Sequence, residues 1–121
     1  MRRSLTKSEI IRKKEDIDRI FKKGKSFYSE GMRLIVLDNS LDFDRFIVIP
    51  AKRFGNAVQR NTVRRRAKEV FRLYSGRLLA GQSSQSGKGR DMVLVVYPGK
   101  VSDYSTLESG MLKALDRSSR R

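Results

Sequence analysis

With 121 residues, 38% of them hydrophobic, the chain has material for one domain around one modest core. Lys and Arg number 28 against 13 Asp and Glu, a formal charge of +15, so a polyanion is the expected partner, with nucleic acid or an anionic membrane surface ahead of an acidic protein. Cysteine and histidine are both absent, which excludes disulfides, the usual zinc ligands, Ser-His and Cys-His nucleophile pairs and the commonest general base.

Along the chain, "MRRSLTKSEI" has basic residues but no apolar stretch behind them, and no apolar run approaches the roughly 18 residues of a membrane span. A cytoplasmic protein without a membrane partner is expected. "KKEDIDRIFKKGK" predicts a short helix: Glu15 and Asp16 suit its positive first turn, Ile17, Ile20 and Phe21 recur at i, i+3, i+4, and Gly24 closes it. β-rich runs follow at Ser26–Tyr28, Met32–Leu37 and Arg45–Pro50, parted by "SEG" and the turn-prone "DNSLDFD", and read as a three-stranded antiparallel meander. Pro50 removes a ladder donor, so the third strand is expected at an edge or bent there.

Asn56 followed by Gln59 has the form of a capping box, opening a helix that runs to Tyr74, where "SG" stops it. "GQSSQSGKGR", residues 81–90, is Gly/Ser-rich and expected to be mobile, and "DMVLVVYPG" carries a buried-strand signal. A last helix over about Ser105 to Arg117 aligns Leu107, Met111 and Leu115, and a basic tail, 118–121, ends the chain. The order αβββαβα predicts an α+β fold, a single-domain α-β sandwich over 1–121, with helices on one sheet face and the other partly free.

The densest charge lies in "KRFGNAVQRNTVRRRAKEVFR", Lys52 to Arg72, where eight bases face one acid, Glu69, for a net +7. Steps of about 100° place Val63, Ala67, Val70 and Tyr74 on one side of the helix and Asn61, Arg64, Arg65, Lys68 and Arg72 on the other. A solvated helical face is usually of mixed sign; this one is cationic and Arg-rich, suited by its fork geometry to phosphate. Such contacts position a nucleic acid without reading its sequence. Ile17, Phe21, Phe27, Tyr28 and Phe46 offer apolar and aromatic surface to unpaired bases, though core packing accounts for most residues of this kind. The carboxylate pairs Asp16/Asp18 and Asp42/Asp44 have Mg²⁺-binding spacing, but surface solvation is the better account, and Gly55-Asn56 is a weak phosphate signal.

The segment Lys52–Glu69, preceded by "DIDRIFKKGKSF" and followed by "RDMVLVVYPG", resembles the bacterial ribonuclease P protein subunit over nearly its full length. The pattern K-x-x-G-x-A-V-x-R-N-x-x-[KR]-R-x-x-[KR]-E is met by Lys52, Gly55, Ala57, Val58, Arg60, Asn61, Arg64, Arg65, Lys68 and Glu69. The resemblance implies a fold like the second domain of ribosomal protein S5, with a left-handed β-α-β crossover against the usual rule. It implies a protein subunit that assists a catalytic RNA in removing the 5′ leader from precursor tRNA. Mg²⁺ would be held by the RNA, with no catalytic residue and no metal on the protein. RNase P RNA and precursor tRNA are the implied partners, DNA and membranes are not, and Arg60, Asn61, Arg64, Arg65, Lys68 and Arg72 would dock on the catalytic RNA. The leader cleft would be lined by Phe21, Ile17 and Ile35, with Arg45 and Lys52 touching leader phosphates.

Three departures stand out. Thr62 replaces the last residue of the family's Arg-Asn-Arg, so one RNA contact is lost or taken over by Arg66, and Ile17 and Ile35 stand where the family often has aromatics. A structural RNA-binding protein of ribosomal type is the competing reading, which the Lys52–Glu69 pattern disfavours. A self-sufficient metal nuclease using Asp42 or Asp44 is a third.

Overall fold

The computed structural model describes residues 7–74, 89–98 and 104–119. After a 3₁₀ turn at Lys7–Glu9 the order is α1 (Lys14–Lys23), β1 (Lys25–Ser29), β2 (Met32–Asp38), β3 (Arg45–Pro50), α2 (Ala57–Leu73), β4 (Arg90–Val96) and α3 (Tyr104–Ser119). The expected order therefore holds, with each element within a few residues of its predicted bounds.

Local chemistry explains the boundaries. Gly24 ends α1, donating its N–H to the Ile20 carbonyl at 2.8 Å. Asn56 and Gln59 close a reciprocal capping box at α2: Asn56 Oδ1 accepts from the Gln59 N–H at 2.9 Å, and Gln59 Oε1 accepts from the Asn56 N–H at 2.9 Å. The β1–β2 hairpin turns on Glu30 and Gly31, with φ of 50° and 78°, the left-handed pair that a two-residue connection needs.

The meander is corrected by the sheet, whose order is β1-β2-β4-β3. β4 lies between β2, which it meets antiparallel, and β3, which it meets parallel, so β3–α2–β4 is a β-α-β unit. The physical reason is burial: "RDMVLVV" is buried at every position, as only a central strand covered on both faces allows. β3 is an edge strand, where Pro50 leaves no ladder bond unmade. Its outer side is shielded by the N-terminal segment, in which Ile10 bridges to Phe46 and the Ile11 N–H donates to the Phe46 carbonyl at 3.1 Å.

Two cores lie on opposite faces. Met32, Leu34, Phe46, Val48, Met92, Leu94 and Val96 meet α2 (Val63, Ala67, Val70, Phe71) and α3 (Leu107, Met111, Ala114, Leu115). Phe46 stacks on Phe71 with centroids 4.4 Å apart and planes 9° from parallel. The other face is smaller: Ile20 of α1 and Ile11 cover Ile35, Val93 and Val95, while Ile17, Ile47 and Ile49 are only half-buried at its margin. Residues 81–88 of the Gly/Ser-rich run lie outside the described residues, whereas Gly89 and Arg90 are buried and lead into β4. Of the expected tail, 118–119 belong to α3, and 120–121 lie outside the described residues.

Candidate nucleic-acid interface

α2 rests on the sheet through Val63, Ala67, Val70 and Phe71, and this fixes which of its bases point outward. Asn61, Arg64, Arg65, Lys68, Glu69 and Arg72 line one side of a groove of about 460 Å³, closed by Ile10 from the N-terminal segment. Asn61, Arg65 and Lys68 are exposed. Arg64 Nη1 donates to Asn61 Oδ1 at 2.9 Å, so the amide orients a guanidinium across one helical turn.

Arg72 is not a free cation. Its Nη2 donates to Glu69 Oε2 at 2.5 Å and its Nε to Oε1 at 3.2 Å, a two-point pair that holds the Glu69 carboxyl below its ordinary range. Arg60 leaves the stripe altogether. Nη1 donates to the Ala51 carbonyl at 2.9 Å and Nη2 to the Pro50 carbonyl at 3.0 Å, tying the first turn of α2 to the end of β3. These bonds make Arg60 a brace for the loop that carries Lys52 and Arg53, both exposed. The Thr62 hydroxyl donates to the Val58 carbonyl at 2.9 Å and is likewise turned inward.

The second surface is the half-open sheet face. Phe21 is 38% exposed beside half-buried Ile17, with Ile47 and Ile49 on β3. Ile35 is corrected: its exposure is 0%, and a Cβ on Gly24 would stand 2.6 Å from its Cγ2, so α1 seats directly on it and no ligand reaches it. Arg45 is held in an ion-pair cluster. Buried Asp91 accepts from its Nε at 2.7 Å and its Nη2 at 2.6 Å, and Asp16 of α1 lies 3.7 Å from Nη1. These bonds raise the Arg45 pKa and join β3, β4 and α1 at the base of the face. Asn39 Nδ2 completes the cluster at 2.9 Å from Asp91 Oδ1.

Phe46, wholly in the core, offers no base a surface. Asp44 is buried rather than solvated, and its Oδ1 accepts from the Arg90 N–H at 2.9 Å to hold the start of β4. Among the described residues no group of three or more His, Cys, Asp or Glu is placed to hold a metal ion, and no helix is long and apolar enough to cross a membrane. Sequence reasoning missed Ile10 and Arg33. Both depend on strand pairing at a distance, the first with β3 and the second across the β1–β2 hairpin.

A basic helix packed on one sheet face, with the opposite face half open, defines an α+β protein with a cationic groove along α2. Residues 5–119 match the family model for ribonuclease P. The chain is 31% identical over 120 residues to the ribonuclease P protein component of Finegoldia magna, covering 97% of this chain and 96% of that one. To the ribonuclease P protein component of Syntrophus aciditrophicus it is 39% identical over 79 residues, 65% of this chain and 66% of the relative. The RNase P protein from Thermotoga maritima superposes with a TM-score of 0.71 at 27% identity, over 90% of this chain and 96% of that one. That of Staphylococcus aureus reaches 0.77 at 24% identity, over 93% and 96%, a likeness of fold. The chain belongs to the ribonuclease P protein family.

Proposed function

We propose that this chain acts as the protein subunit of ribonuclease P, binding the RNA subunit through α2 and the 5′ leader of precursor tRNA on the half-open sheet face. The observation that carries the reading is the groove formed by Asn61, Arg64, Arg65 and Lys68 on a helix of the family's own pattern. Phosphates of the folded RNA subunit meet these side chains, and Arg65 and Lys68, exposed and unpaired in any described ion pair, contribute most. Phe21, Ile17, Ile47 and Ile49 offer the leader an apolar bed, and Lys52, at the exposed turn after β3, reaches its phosphates.

In this reading the protein supplies binding and positioning, while the RNA supplies the reaction and holds the Mg²⁺ that hydrolysis of a phosphodiester requires. Imidazole and thiolate are absent from the sequence, Asp91 is engaged by Arg45, and Asp44 accepts from the Arg90 N–H. The site of action is then the cytoplasm, where precursor tRNA is made.

The decisive experiment is multiple-turnover cleavage of precursor tRNA by the cognate RNase P RNA at low Mg²⁺, with protein, without it, and with protein alone. Stimulation of the RNA by an otherwise inert protein is expected; cleavage by the protein alone would overturn the reading. Arg65→Ala should weaken binding to the RNA subunit, and Phe21→Ala only the binding of substrates with a leader. Equal losses on leaderless tRNA would refute that division.

A further inference from the structure

Beside Phe21, the half-open face carries two residues, Arg33 and Tyr28, that the leader bed described above does not use. Tyr28 on β1 and Arg33 on β2 are direct cross-strand partners, Arg33 is opposite Val95, and Val95 is opposite Ile49. All four lie on the α1 side, sharing the parity of Ile35 and opposite to that of Met32 and Leu34, which enter the larger core. The row crosses the whole sheet, roughly 14 Å at about 4.8 Å per strand.

The Arg33 guanidinium lies 5.7 Å from the Phe21 ring centre and 5.8 Å from that of Tyr28, held between an aromatic of α1 and one of the edge strand. Its Nε donates to Ser26 Oγ at 3.0 Å, which fixes the plane of the fork. Among the described residues no acceptor takes its two Nη groups. Tyr28 is 60% exposed and Phe21 38%. At the sheet edge Arg117 of α3, a helix of the opposite face, donates from Nη2 to the Tyr28 carbonyl. The acid of the hairpin turn, Glu30, is occupied by Lys113 Nζ at 3.2 Å.

An Arg resting on aromatic rings often does no more than cover apolar surface. Here, however, the rings stay open and the fork is fixed with donors unfilled. That combination suits an unpaired nucleobase: an aromatic face for stacking and a planar fork for the acceptors on a base edge.

We propose that Phe21, Arg33 and Tyr28 form a subsite for one unpaired base of the precursor's 5′ leader at the β1 end of the cleft. Arg33 favours a base with two adjacent acceptors, guanine foremost. The inference rests on the assignment of this face to the leader. It also accounts for the aliphatic Ile17 and Ile35: the stacking they do not provide is supplied at the sheet edge by Tyr28.

The test uses holoenzyme reconstituted from the full chain and cognate RNase P RNA, with precursor tRNAs carrying one abasic nucleotide stepped along the leader, and leaderless tRNA. At one leader position the abasic change should weaken binding about 10-fold, the scale of base–aromatic stacking. Guanine there should be preferred over cytosine or uracil. Both effects should vanish with Tyr28→Ala and Arg33→Ala, while Tyr28→Phe keeps them and Arg33→Lys loses the guanine preference. Affinity for leaderless tRNA and for the RNA subunit should change less than about twofold, since a lost base contact leaves the phosphate contacts in place. Penalties that persist in Tyr28→Ala, or losses shared equally by every leader position and by leaderless tRNA, would overturn the subsite. A holoenzyme stimulated by the protein but without any position-specific penalty overturns it alone; no stimulation at all overturns the assigned function with it.

Discussion

Two carboxylates decide which arginines of this chain are engaged within the fold. Asp91 is wholly buried, and the Arg45 fork that neutralises it is 19% exposed. Removing one partner of such a pair leaves the other charged without compensation, so Asp91→Ala should cost about 3 kcal/mol, the lower end for buried pairs because Arg45 keeps some water. A urea melt checks this: a loss below about 1 kcal/mol, the scale of exposed pairs, would mean that the cluster is no stronger than a surface one. Glu69 acts on the exposed side. The Arg72 bond holds its carboxyl below the ordinary 4.5, so the pair survives as pH falls through that value and dissolves only at the lower folded pKa. At neutral pH the pair therefore subtracts one cation from the stripe. Glu69→Gln should release Arg72, tighten RNA-subunit binding several-fold and steepen its salt dependence by about 0.7 to 0.9 in log–log slope; an unchanged slope would show that Arg72 meets no phosphate. Neither pairing could be read in full from the sequence. The Glu69–Arg72 spacing of three residues is visible there, but the acceptors of Arg45 and Arg60 lie 46 and 9 residues away, across strand and loop geometry that composition does not encode.

At the scale of elements, α2 was the most legible part of the chain because its rules are local. The capping box places its first turn, and the 100° step separates Val63, Ala67 and Val70 from Arg65 and Lys68 before any packing is known. The sheet was legible as strands but not as an order. The insertion of β4 between β2 and β3 depends on residues some 40 or more apart in sequence, and only its unbroken burial betrays a central place. The same gap explains Ile35, which lies on the expected face yet is sealed by the close approach of α1 at Gly24. Thr62 gives a test confined to α2. Its hydroxyl is spent on the Val58 carbonyl, so it adds no outward donor where the family pattern has an arginine. Thr62→Arg should restore one phosphate contact, raising affinity for the RNA subunit and increasing the salt slope by about 0.7 to 0.9 without altering helix content. Tighter binding with an unchanged slope would place the new side chain on a base or sugar instead.

For the molecule as a whole, the N-terminal segment and the net charge belong to one argument. Ile10 lines the basic groove while the next residue, Ile11, is buried among the residues beneath α1, so a single extended stretch along β3 links the two surfaces. The groove is cationic, and a chain of 121 residues at +15 repels itself when no polyanion is bound. Salt must then act on the free protein and on the complex with opposite sign. Screening relieves repulsion in the free fold, so its melting temperature should rise between about 50 and 200 mM KCl. Over that range about five phosphate contacts should cost two to three orders of magnitude in RNA affinity. Replacing Arg65 and Lys68 together by Gln should raise the melting temperature of the free protein at low salt and weaken RNA binding in the same preparation. A melting temperature that ignores KCl, or that falls in the double variant, would mean that these bases are balanced within the fold, and the groove would lose its claim to an external partner.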